Sequence, residues 1–498
     1  MKEIKRILVA NRAEIAVRVM KTCEKMGIET IAIYAEDDAE LSYVRRANYS
    51  VCLGSGPLSE TYLNQDKIVE IALELGADAI HPGYGFLSEN AGFAELVTGK
   101  DLIFIGPTPE AIVLMGDKKT SKQAMEKIGA PIIPGYHGEQ QEPSFLKSKA
   151  SEIGFPLLIK ASAGGGGKGM RVVHTLDEFD AALEAAKREA KNAFGNDVVL
   201  LERFIQNPRH IEVQVVGDTH GNCLHFYERE CSIQRRHQKV IEETPSVALS
   251  SEKRIEICES AVKIAKGIDY VGAGTVEFIY EDSGDFFFLE MNTRLQVEHP
   301  ITEMVTGVDL VRLQIRAARG EKLPYKQDQI SQKGHSIEVR LYAEDPTNNF
   351  LPTSGRLELL RQVDWDGVRI ETGFESGNII GVNYDPMIAK VVVWDEDRDL
   401  ASDKMIRVLD EAGFLGLTTN KDYCKKVLSE PDYRKGETLT HYIENHSELQ
   451  VEDDLDESQV ADFVASFYLS GRSAASGKIV ETSQLQGPWT SLSMFRNS

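Results

Sequence analysis

Short apolar runs alternate with amphipathic helical patterns along the first part of the chain. Residues 6–10 have the pattern of a buried strand, Ala13 to Met26 that of a helix with one apolar face, and Glu29–Tyr34 that of a second strand. Strands alternating with helices predict a doubly wound α/β domain over residues 1–115. The turn from Asn11 to Glu14 lacks G-x-G-x-x-G, so no dinucleotide site is predicted.

Two later apolar strands are joined by a polar, glycine-containing turn. Residues 275–280 and 286–289 have strand patterns, and the segment between them is typical of a hairpin. A four-residue loop over Asp282–Asp285 would set Glu277 opposite Glu290 on the neighbouring strand.

Polar and apolar residues then alternate along the next stretch of chain. In an extended backbone one face carries the polar side chains Glu290, Asn292, Arg294, Gln296 and Glu298. Facing carboxylates repel unless a cation lies between them, so Glu277, Glu290 and the amide oxygen of Asn292 predict a Mg²⁺ site. Since Mg²⁺ binds few protein ligands and completes its shell with waters and phosphates, a nucleotide is expected nearby. The alternative is a solvated edge strand, which the apolar run Phe286–Phe288 disfavours.

A smaller unit is predicted from Pro131 to about Phe204, around the glycine-rich segment 160–171 (KASAGGGGKGMR). Four consecutive glycines carry a large entropy cost, which favours a mobile flap whose N–H groups close over phosphates. It is not a Walker loop, because a strand follows it and not a helix. Lys160 and Lys118 are the predicted phosphate partners, and a flexible linker is the alternative.

Cations are concentrated in residues 229–239 (RECSIQRRHQK) of an otherwise acidic chain. Close to a metal–phosphate site they could hold anions, whereas the alternative is a solvated charged face. Cys231 within this segment could be an activated thiol, but a small packed residue is the simpler interpretation.

Strand alternation resumes at Ser336–Tyr342, where a third domain begins that extends to about Ile443. Glu338 and Arg340 share one face, and Arg340 can present its planar guanidinium to a carboxylate-like or urea-like oxygen. A surface ion pair is the alternative for Arg340. Tyr84 is a further candidate lining residue, because its Gly- and Pro-rich turn ends a strand where open α/β sheets contact ligands; a plain turn is the alternative.

The chain changes character after residue 447. Residues 451–458 are acidic, apolar residues at helical spacing follow over 460–468, and residues 471–477 have the composition of a linker. We expect residues 447–498 to form a docking segment, for the chain's own body or for a partner.

Composition limits the partners and the class of protein. The length of 498 residues predicts about three domains, each large enough to bury its own core. The net charge of −22 argues against nucleic acid and anionic membrane surfaces as non-specific partners. The N-terminus has no signal-peptide core, no apolar run is long enough to span a membrane, and the six cysteines are scattered, so we expect a cytoplasmic enzyme.

The glycine flap, the paired carboxylates and four long motifs resemble biotin carboxylase from residue 6 to about 443. The motifs are HPGYGFLSEN (81–90), KASAGGGGKGMR (160–171), ECSIQRRHQK (230–239) and EMNTRLQVEHP (290–300). The resemblance implies an ATP-grasp domain over 116–330 with its lid at 131–204. A doubly wound N-terminal domain (1–115) would precede it, and a mixed α+β C-terminal domain (331–446) would follow.

The resemblance also implies roles for individual residues. The implied ligands of Mg²⁺ or Mn²⁺ are Glu277, Glu290 and Asn292. The implied ATP contacts are Lys118, Lys160, Gly166, Gly167, His210, His237, Glu277 and Glu290, with Glu202, Arg203, Phe204 and Ile205 along the adenine slot. The implied bicarbonate site consists of Lys239, Arg294, Gln296 and Val297, with Glu298 as general base. Arg340 would stabilise the biotin enolate, and Tyr84 is a candidate biotin-lining residue.

The implied partners follow from the same resemblance. No Ala-Met-Lys-Met biotinylation site is present, so biotin is expected on a separate carrier chain, with a carboxyltransferase subunit as a further partner and a homodimer as the assembly. The segments at 342–352 and 487–496 look more like the α chains of propionyl- or methylcrotonyl-type carboxylases than like a bare acetyl-CoA carboxylase subunit. The alternatives are another carboxyphosphate-forming ATP-grasp ligase, of carbamoyl-phosphate or purine type, and a non-catalytic scaffold subunit.

Overall fold

The computed structural model describes residues 3–162, 170–236 and 238–451, without the side chain of Lys118. In this part of the chain, residues up to Leu449 form one compact unit. No described helix is both long and apolar enough to cross a membrane.

The N-terminal part is a parallel five-stranded sheet in the order β3-β2-β1-β4-β5. Its strands are β1 Arg6–Val9, β2 Glu29–Ala35, β3 Tyr49–Gly54, β4 Ala79–His81 and β5 Ile103–Phe104. Its helices are α1 Ala13–Lys25, α2 Ser42–Arg46, α3 Gln65–Glu74, α4 Ala91–Gly99 and α5 Pro109–Gly116. Separate apolar cores cover the two faces of this sheet. The doubly wound prediction is therefore confirmed.

The predicted smaller unit is a four-stranded sheet in the order β6-β9-β7-β8, backed by two helices. The elements from residue 118 onward are α6 Lys118–Ile128, β6 Gly135–Tyr136, α7 Pro143–Ile153, β7 Leu157–Ala161, β8 Arg171–Val173, α8 Phe179–Phe194 and β9 Val199–Arg203. The sheet has its own core, in which Leu146, Leu183 and Leu201 are buried. Just before β6, the carbonyl of Pro131 accepts a hydrogen bond from the N–H of Phe288 at 2.7 Å.

An eight-stranded sheet in the order β14-β13-β10-β11-β12-β15-β22-β20 forms the centre of the molecule. Its strands are β10 Arg209–Gly217, β11 Cys223–Arg235, β12 Gln238–Thr244, β13 Gly272–Tyr280, β14 Phe286–Asn292, β15 His335–Tyr342, β20 Val368–Thr372 and β22 Met387–Asp395. The short strands beside it are β16 Glu344–Asp345, β17 Leu351–Pro352, β18 Gly355–Arg356, β19 Leu359–Arg361, β21 Ile379–Ile380 and β23 Gly413–Leu415. The remaining helices are α9 Ser251–Gly267, α10 His299–Thr306, α11 Leu310–Ala318, α12 Arg398–Glu411, α13 Lys421–Ser429, α14 Pro431–Lys435 and α15 Tyr442–Asn445.

Helix α9 shows how local sequence produces these elements. Ser250 caps it by accepting a hydrogen bond from the N–H of Lys253 at 3.2 Å. Ile257, Ala261 and Ile264 recur at helical spacing, and they are buried against the strands.

Apolar residues from all three predicted domains belong to one shared core. The largest core combines Ile15 of α1, Phe226 of β11, Val339 of β15 and Leu409 of α12. Strands β15, β22 and β20, which the sequence placed in a third domain, continue the central sheet because β15 pairs with β12. The N-terminal helix also approaches this region closely: a Cβ on Gly373 would lie 2.4 Å from the Cα of Ala13.

Candidate active site

One face of the central sheet carries a row of acids across three neighbouring strands. Glu212 on β10 lies opposite Glu277 on β13, and Glu277 lies opposite Glu290 on β14. The predicted pairing of Glu277 with Glu290 is confirmed, but the predicted loop is one residue too short. The turn spans the five residues Glu281–Asp285. Without a bulge, strands joined by this turn would place Glu277 opposite Leu289. A bulge in β14 shifts the pairing by one residue, so that Glu277 lies opposite Glu290.

The extended backbone ends at Asn292, well before Glu298. Gln296 and Glu298 therefore lie in the loop between β14 and α10, and the prediction of one continuous extended face is wrong. The N–H of Thr293, which would otherwise be free to continue the strand, donates to Glu89 Oε1 at 3.2 Å. The first residue after β14 is therefore in contact with the N-terminal part of the chain.

Glu277 is the point at which polar side chains of this loop and strand meet. Its carboxylate accepts hydrogen bonds from Asn292 Nδ2 and Gln296 Nε2, both at 2.8 Å. His210 Nε2 lies 2.9 Å and Lys239 Nζ 3.0 Å from its oxygens. Burial raises the pKa of Glu277, but the charges of Lys239 and His210 hold that pKa well below its usual value. The carboxylate is therefore ionised at neutral pH.

Lys239 lies among three carboxylates. Its Nζ is 2.5 Å from Glu212, 2.6 Å from Glu298 and 3.0 Å from Glu277. Burial lowers the pKa of this ammonium, but the acidic groups around it raise the pKa well above its usual value. Lys239 thus places a positive charge beside Glu277, for which the sequence predicted a metal ion as the only cation.

Glu298 is completely buried between two cations. Its Oε1 accepts from Lys239 Nζ at 2.6 Å and its Oε2 from Arg340 Nη2 at 2.9 Å. Burial raises the pKa of Glu298, but these two cations hold it well below its usual value. Arg340 also donates from Nε to Glu242 Oε1 at 2.5 Å, and burial raises the pKa of Glu242 to about 7.

The loop residues Arg294 and Val297 have different surroundings. Arg294 donates from Nε to Glu89 Oε2 at 2.8 Å and from Nη2 to Asn292 Oδ1 at 2.9 Å. The carbonyl of Val297 accepts from Lys390 Nζ at 3.0 Å. Arg294 therefore lies beside Asn292, whereas Val297 faces β22.

Glu202 of β9 gathers cations at the edge of the smaller sheet. Lys160 Nζ donates to its Oε2 at 2.7 Å, His137 Nε2 lies 3.2 Å from its Oε1, and Lys122 also contacts it. Burial lowers the pKa of His137 to about 3, so this ring is neutral and donates to the carboxylate. Lys160 and Glu202, both predicted to contact ATP, are thus brought together.

The next residues of the chain lie beside a cavity of about 390 Å³. Arg203 and Phe204 line it; Arg203 donates to Glu281 Oε2 at 2.7 Å and its guanidinium lies 5.2 Å from the centre of the Phe287 ring. Ile205 is buried.

Two further residues proposed from the sequence are Tyr84, which lies near Lys390, and Cys231, which lies near Glu298. The Tyr84 ring is half-buried, and its centre lies 5.9 Å from Lys390 Nζ. The thiol of Cys231 is buried 4.0 Å from Glu298 Oε1, and burial raises its pKa well above its usual value. The thiol is therefore neutral, as expected of a packed residue and not of an activated nucleophile.

Some predicted positions lie outside the described residues. They are Gly166, Gly167, His237, the side chain of Lys118 and the docking segment beyond residue 451.

Sequence reasoning missed several groups that complete the site. Glu89 lies within the motif at 81–90 but was not singled out. Lys390 is a lone lysine in a valine-rich strand, a signal of a buried cation that needs partners. Glu212 lies in the alternating strand β10 and Glu242 in the strand β12, and nothing in the sequence indicates their contacts with Lys239 and Arg340.

Three family models match consecutive parts of the chain. "Biotin carboxylase, N-terminal domain" matches residues 3–112, "Carbamoyl-phosphate synthase L chain, ATP binding domain" residues 117–326, and "Biotin carboxylase C-terminal domain" residues 338–445.

Individual relatives are similar over most of the chain. The mitochondrial methylcrotonoyl-CoA carboxylase subunit α of Dictyostelium discoideum is 48% identical over 99% of this chain and 71% of its own length. The biotin carboxylase of a Nostoc species is 48% identical over 88% of this chain and 98% of its own length. The chain spans 60% to 71% of the methylcrotonoyl-CoA carboxylase α subunits that it matches.

Solved structures are also similar. The biotin carboxylase domain dimer of Hydrogenobacter thermophilus 2-oxoglutarate carboxylase, in complex with MgADP, ADP and bicarbonate, matches with a TM-score of 0.86 and 45% identity. The match covers 91% of this chain and 100% of that one.

Proposed function

The chain belongs to the biotin carboxylase family of ATP-dependent ligases, and we propose that it carboxylates biotin with bicarbonate and ATP through carboxyphosphate. This is the first half-reaction of a biotin-dependent carboxylase. The observation that carries the proposal is the buried carboxylate of Glu298, held by Lys239 at 2.6 Å and Arg340 at 2.9 Å beside the row of acids.

Glu298 is the proposed general base that removes the proton of bicarbonate. Its low pKa keeps it ionised, but it would make a weak base while both cations are bound to it. When Lys239 turns from Glu298 to the bicarbonate, where Arg294 joins it, Glu298 loses one of its two cations and its basicity rises. The two cations at the bicarbonate then stabilise the dianion that attacks the γ-phosphate, while Gln296 and Val297 complete the anion site.

The nucleotide would lie between the smaller sheet and the central sheet. Lys160, Lys118 and the glycine-rich segment are proposed to bind phosphates, together with His210 and His237. The chain from Glu202 to Ile205 is proposed to follow the adenine, supported by the cavity beside Arg203 and Phe204. In this account, ATP competes with Glu202 for the ammonium of Lys160.

The donor set of Glu277, Glu290 and Asn292 fits a hard divalent cation. All three offer oxygen atoms, and the two carboxylates face each other on paired strands. Mg²⁺ or Mn²⁺ bound there would neutralise charge on the ATP phosphates. The chain's own part is to keep both carboxylates ionised, which Lys239 and His210 do for Glu277.

Arg340 is proposed to bind the oxygen of the biotin enolate while the enolate attacks CO₂. Its guanidinium is buried on the same side as Glu298, so the two reacting species would meet in one enclosed place. Tyr84 is proposed to line the path to this place from the N-terminal part of the chain.

The proposed partners are a biotin carrier protein or domain outside these 498 residues and a carboxyltransferase subunit. A homodimer is proposed because the 2-oxoglutarate carboxylase relative was solved as a dimer of this domain. A cytoplasmic location stays a prediction, since relatives carry mitochondrial and chloroplastic names.

Phosphate release from ATP tests this function. We expect cleavage that needs bicarbonate and Mg²⁺ and increases with added biotin. Cleavage driven by ammonia or an aminoimidazole would instead favour another carboxyphosphate-forming ligase, a rival supported by the description of the central family model. ATP binding without any cleavage would favour a scaffold subunit.

A further inference from the structure

Lys390 of β22 is a completely buried cation that does not belong to the proposed bicarbonate, nucleotide or biotin contacts. Its Nζ donates to the carbonyl of Val297 at 3.0 Å. It lies 2.8 Å from Glu371 Oε2 on β20 and 3.2 Å from Glu14 Oε2 on α1. One side chain thus joins the loop before α10 to the N-terminal helix and to the far edge of the central sheet.

The sheet register places Lys390 on the catalytic side of the sheet. Lys390 pairs with Arg340 on β15 and with Glu371 on β20. Directly opposite residues of antiparallel strands project to the same face. Lys390 therefore lies on the face of the sheet that carries Arg340, and from this face it contacts the loop at Val297.

The loop has no regular structure to hold it in place. Between Asn292 and His299 it belongs to neither β14 nor α10. Charge-assisted hydrogen bonds are stronger than neutral ones, and low polarity around them strengthens them further. The hydrogen bond from the Lys390 ammonium to the Val297 carbonyl is a charge-assisted bond to this loop, two residues before α10.

We propose that Lys390 is a positioning residue that fixes Val297, and through it the neighbouring Gln296 and Glu298, in the geometry that bicarbonate activation requires. The proposal rests on the proposed function of this site. Lys390 touches no substrate in this account; it acts only through the loop.

Burying an ammonium costs free energy unless acids compensate it. Glu14 and Glu371 provide that compensation here. Glu371 also contacts Arg369, so it keeps a cation when Lys390 is removed. Neutralising Glu14 together with Lys390 therefore removes one buried negative charge along with the buried positive one.

The test compares three variants of the full chain in bicarbonate-dependent ATP cleavage with free biotin. For Lys390→Met we expect turnover to fall roughly 10- to 100-fold, because small displacements of reacting groups have effects of this size. ATP affinity should stay unchanged, since the nucleotide groups lie elsewhere. Lys404→Met is the matched control: Lys404 of α12 binds Asp395 at 2.7 Å and the Trp394 carbonyl at 2.9 Å, at the other end of β22.

The double variant Lys390→Met with Glu14→Gln separates positioning from stability. We expect its unfolding midpoint to approach that of the wild type while its turnover stays low, because the Val297 carbonyl still lacks its donor. Recovery of wild-type turnover in the double variant would overturn the proposal, as would normal turnover in Lys390→Met. If the wild-type chain shows no bicarbonate-dependent cleavage, the proposed function has failed and not the role of Lys390.

Discussion

At the scale of single residues, two cations share one carboxylate at the centre of the site. Lys239 and Arg340 approach opposite oxygens of Glu298, and both are buried. In a poorly polarisable interior each contact is strong, so an incoming anion must compete for the cations. In the proposed reaction, this competition would couple the binding of bicarbonate to the basicity of Glu298.

The role proposed for Arg340 predicts a selective loss. In Arg340→Gln we expect biotin-stimulated turnover to fall by roughly 100-fold or more, as when one oxyanion donor is removed. Bicarbonate-dependent ATP cleavage without biotin should persist, because Lys239 still holds Glu298. The two rates are measured by phosphate release, with exposed Arg356→Gln as control. Equal loss of both rates would contradict a separate role for Arg340.

Some residues of the candidate site could be named from the sequence, although their chemical roles stay predictions. Glu298, Lys239 and Arg340 were named from residue type, spacing and resemblance, and the structure brings them into contact. Contacts between distant segments were not predictable, because spacing along the chain does not encode them. The pairing of Lys390 with Glu14, 376 positions away by sequence number, is of this kind.

At the scale of elements, ion pairs fasten the last helices to the central sheet. Glu243 of β12 accepts from Arg398 of α12 at 2.6 Å and 3.0 Å, and His335 of β15 lies 2.8 Å from it. Burial raises the pKa of Glu243, but Arg398 and His335 lower it to about 2. A carboxyl whose pKa is lower in the folded protein stabilises the fold above its unfolded pKa, and this contribution is lost as the pH falls.

Glu243→Gln should therefore lower the free energy of unfolding at pH 7 by on the order of 3 kcal/mol. The difference from wild type should shrink as the pH falls from 4.5 towards 2, because the Glu243 carboxyl of the wild type becomes protonated over this range. Urea unfolding of both proteins at pH 7 and at pH 3 measures this difference in the free energy of unfolding. Asp180→Asn, in an exposed pair with Lys147, is the control and should change stability little. A difference that is constant or grows on acidification would refute the assignment.

Element boundaries were predictable where periodicity was strong and not where it was interrupted. The strand β2 and the helix α1 agree with their predicted ranges to within one residue. The end of β14 at Asn292 was missed, because alternation continues in the sequence after the backbone has left the sheet. Thr293, the next residue, contacts Glu89 instead, and periodicity cannot indicate such a contact between distant segments.

At the scale of the whole molecule, the central sheet and the shared core join regions that the sequence separates. Ile337 of β15 is completely buried in the core that also contains Ile15 and Leu409. The N- and C-terminal parts are therefore expected to lose structure together. Length and composition predict a number of domains. They do not predict a shared core, because apolar periodicity does not show which helix and sheet faces pack against each other.

Ile337→Ala should cost roughly 3 kcal/mol by cavity formation. Because the core is shared, hydrogen exchange should show the same loss of protection for amides of β1 and of β22. The exposed Val113→Ala is the control. Loss confined to β22 would show that the two regions open independently.

The central claim is that Glu298 activates bicarbonate at this site. Phosphate release by Glu298→Gln, measured with saturating ATP and bicarbonate, tests it most directly. Loss of a general base predicts a fall of at least roughly 100-fold, with ATP binding retained in a parallel titration. A near-normal rate of bicarbonate-dependent phosphate release would contradict the account.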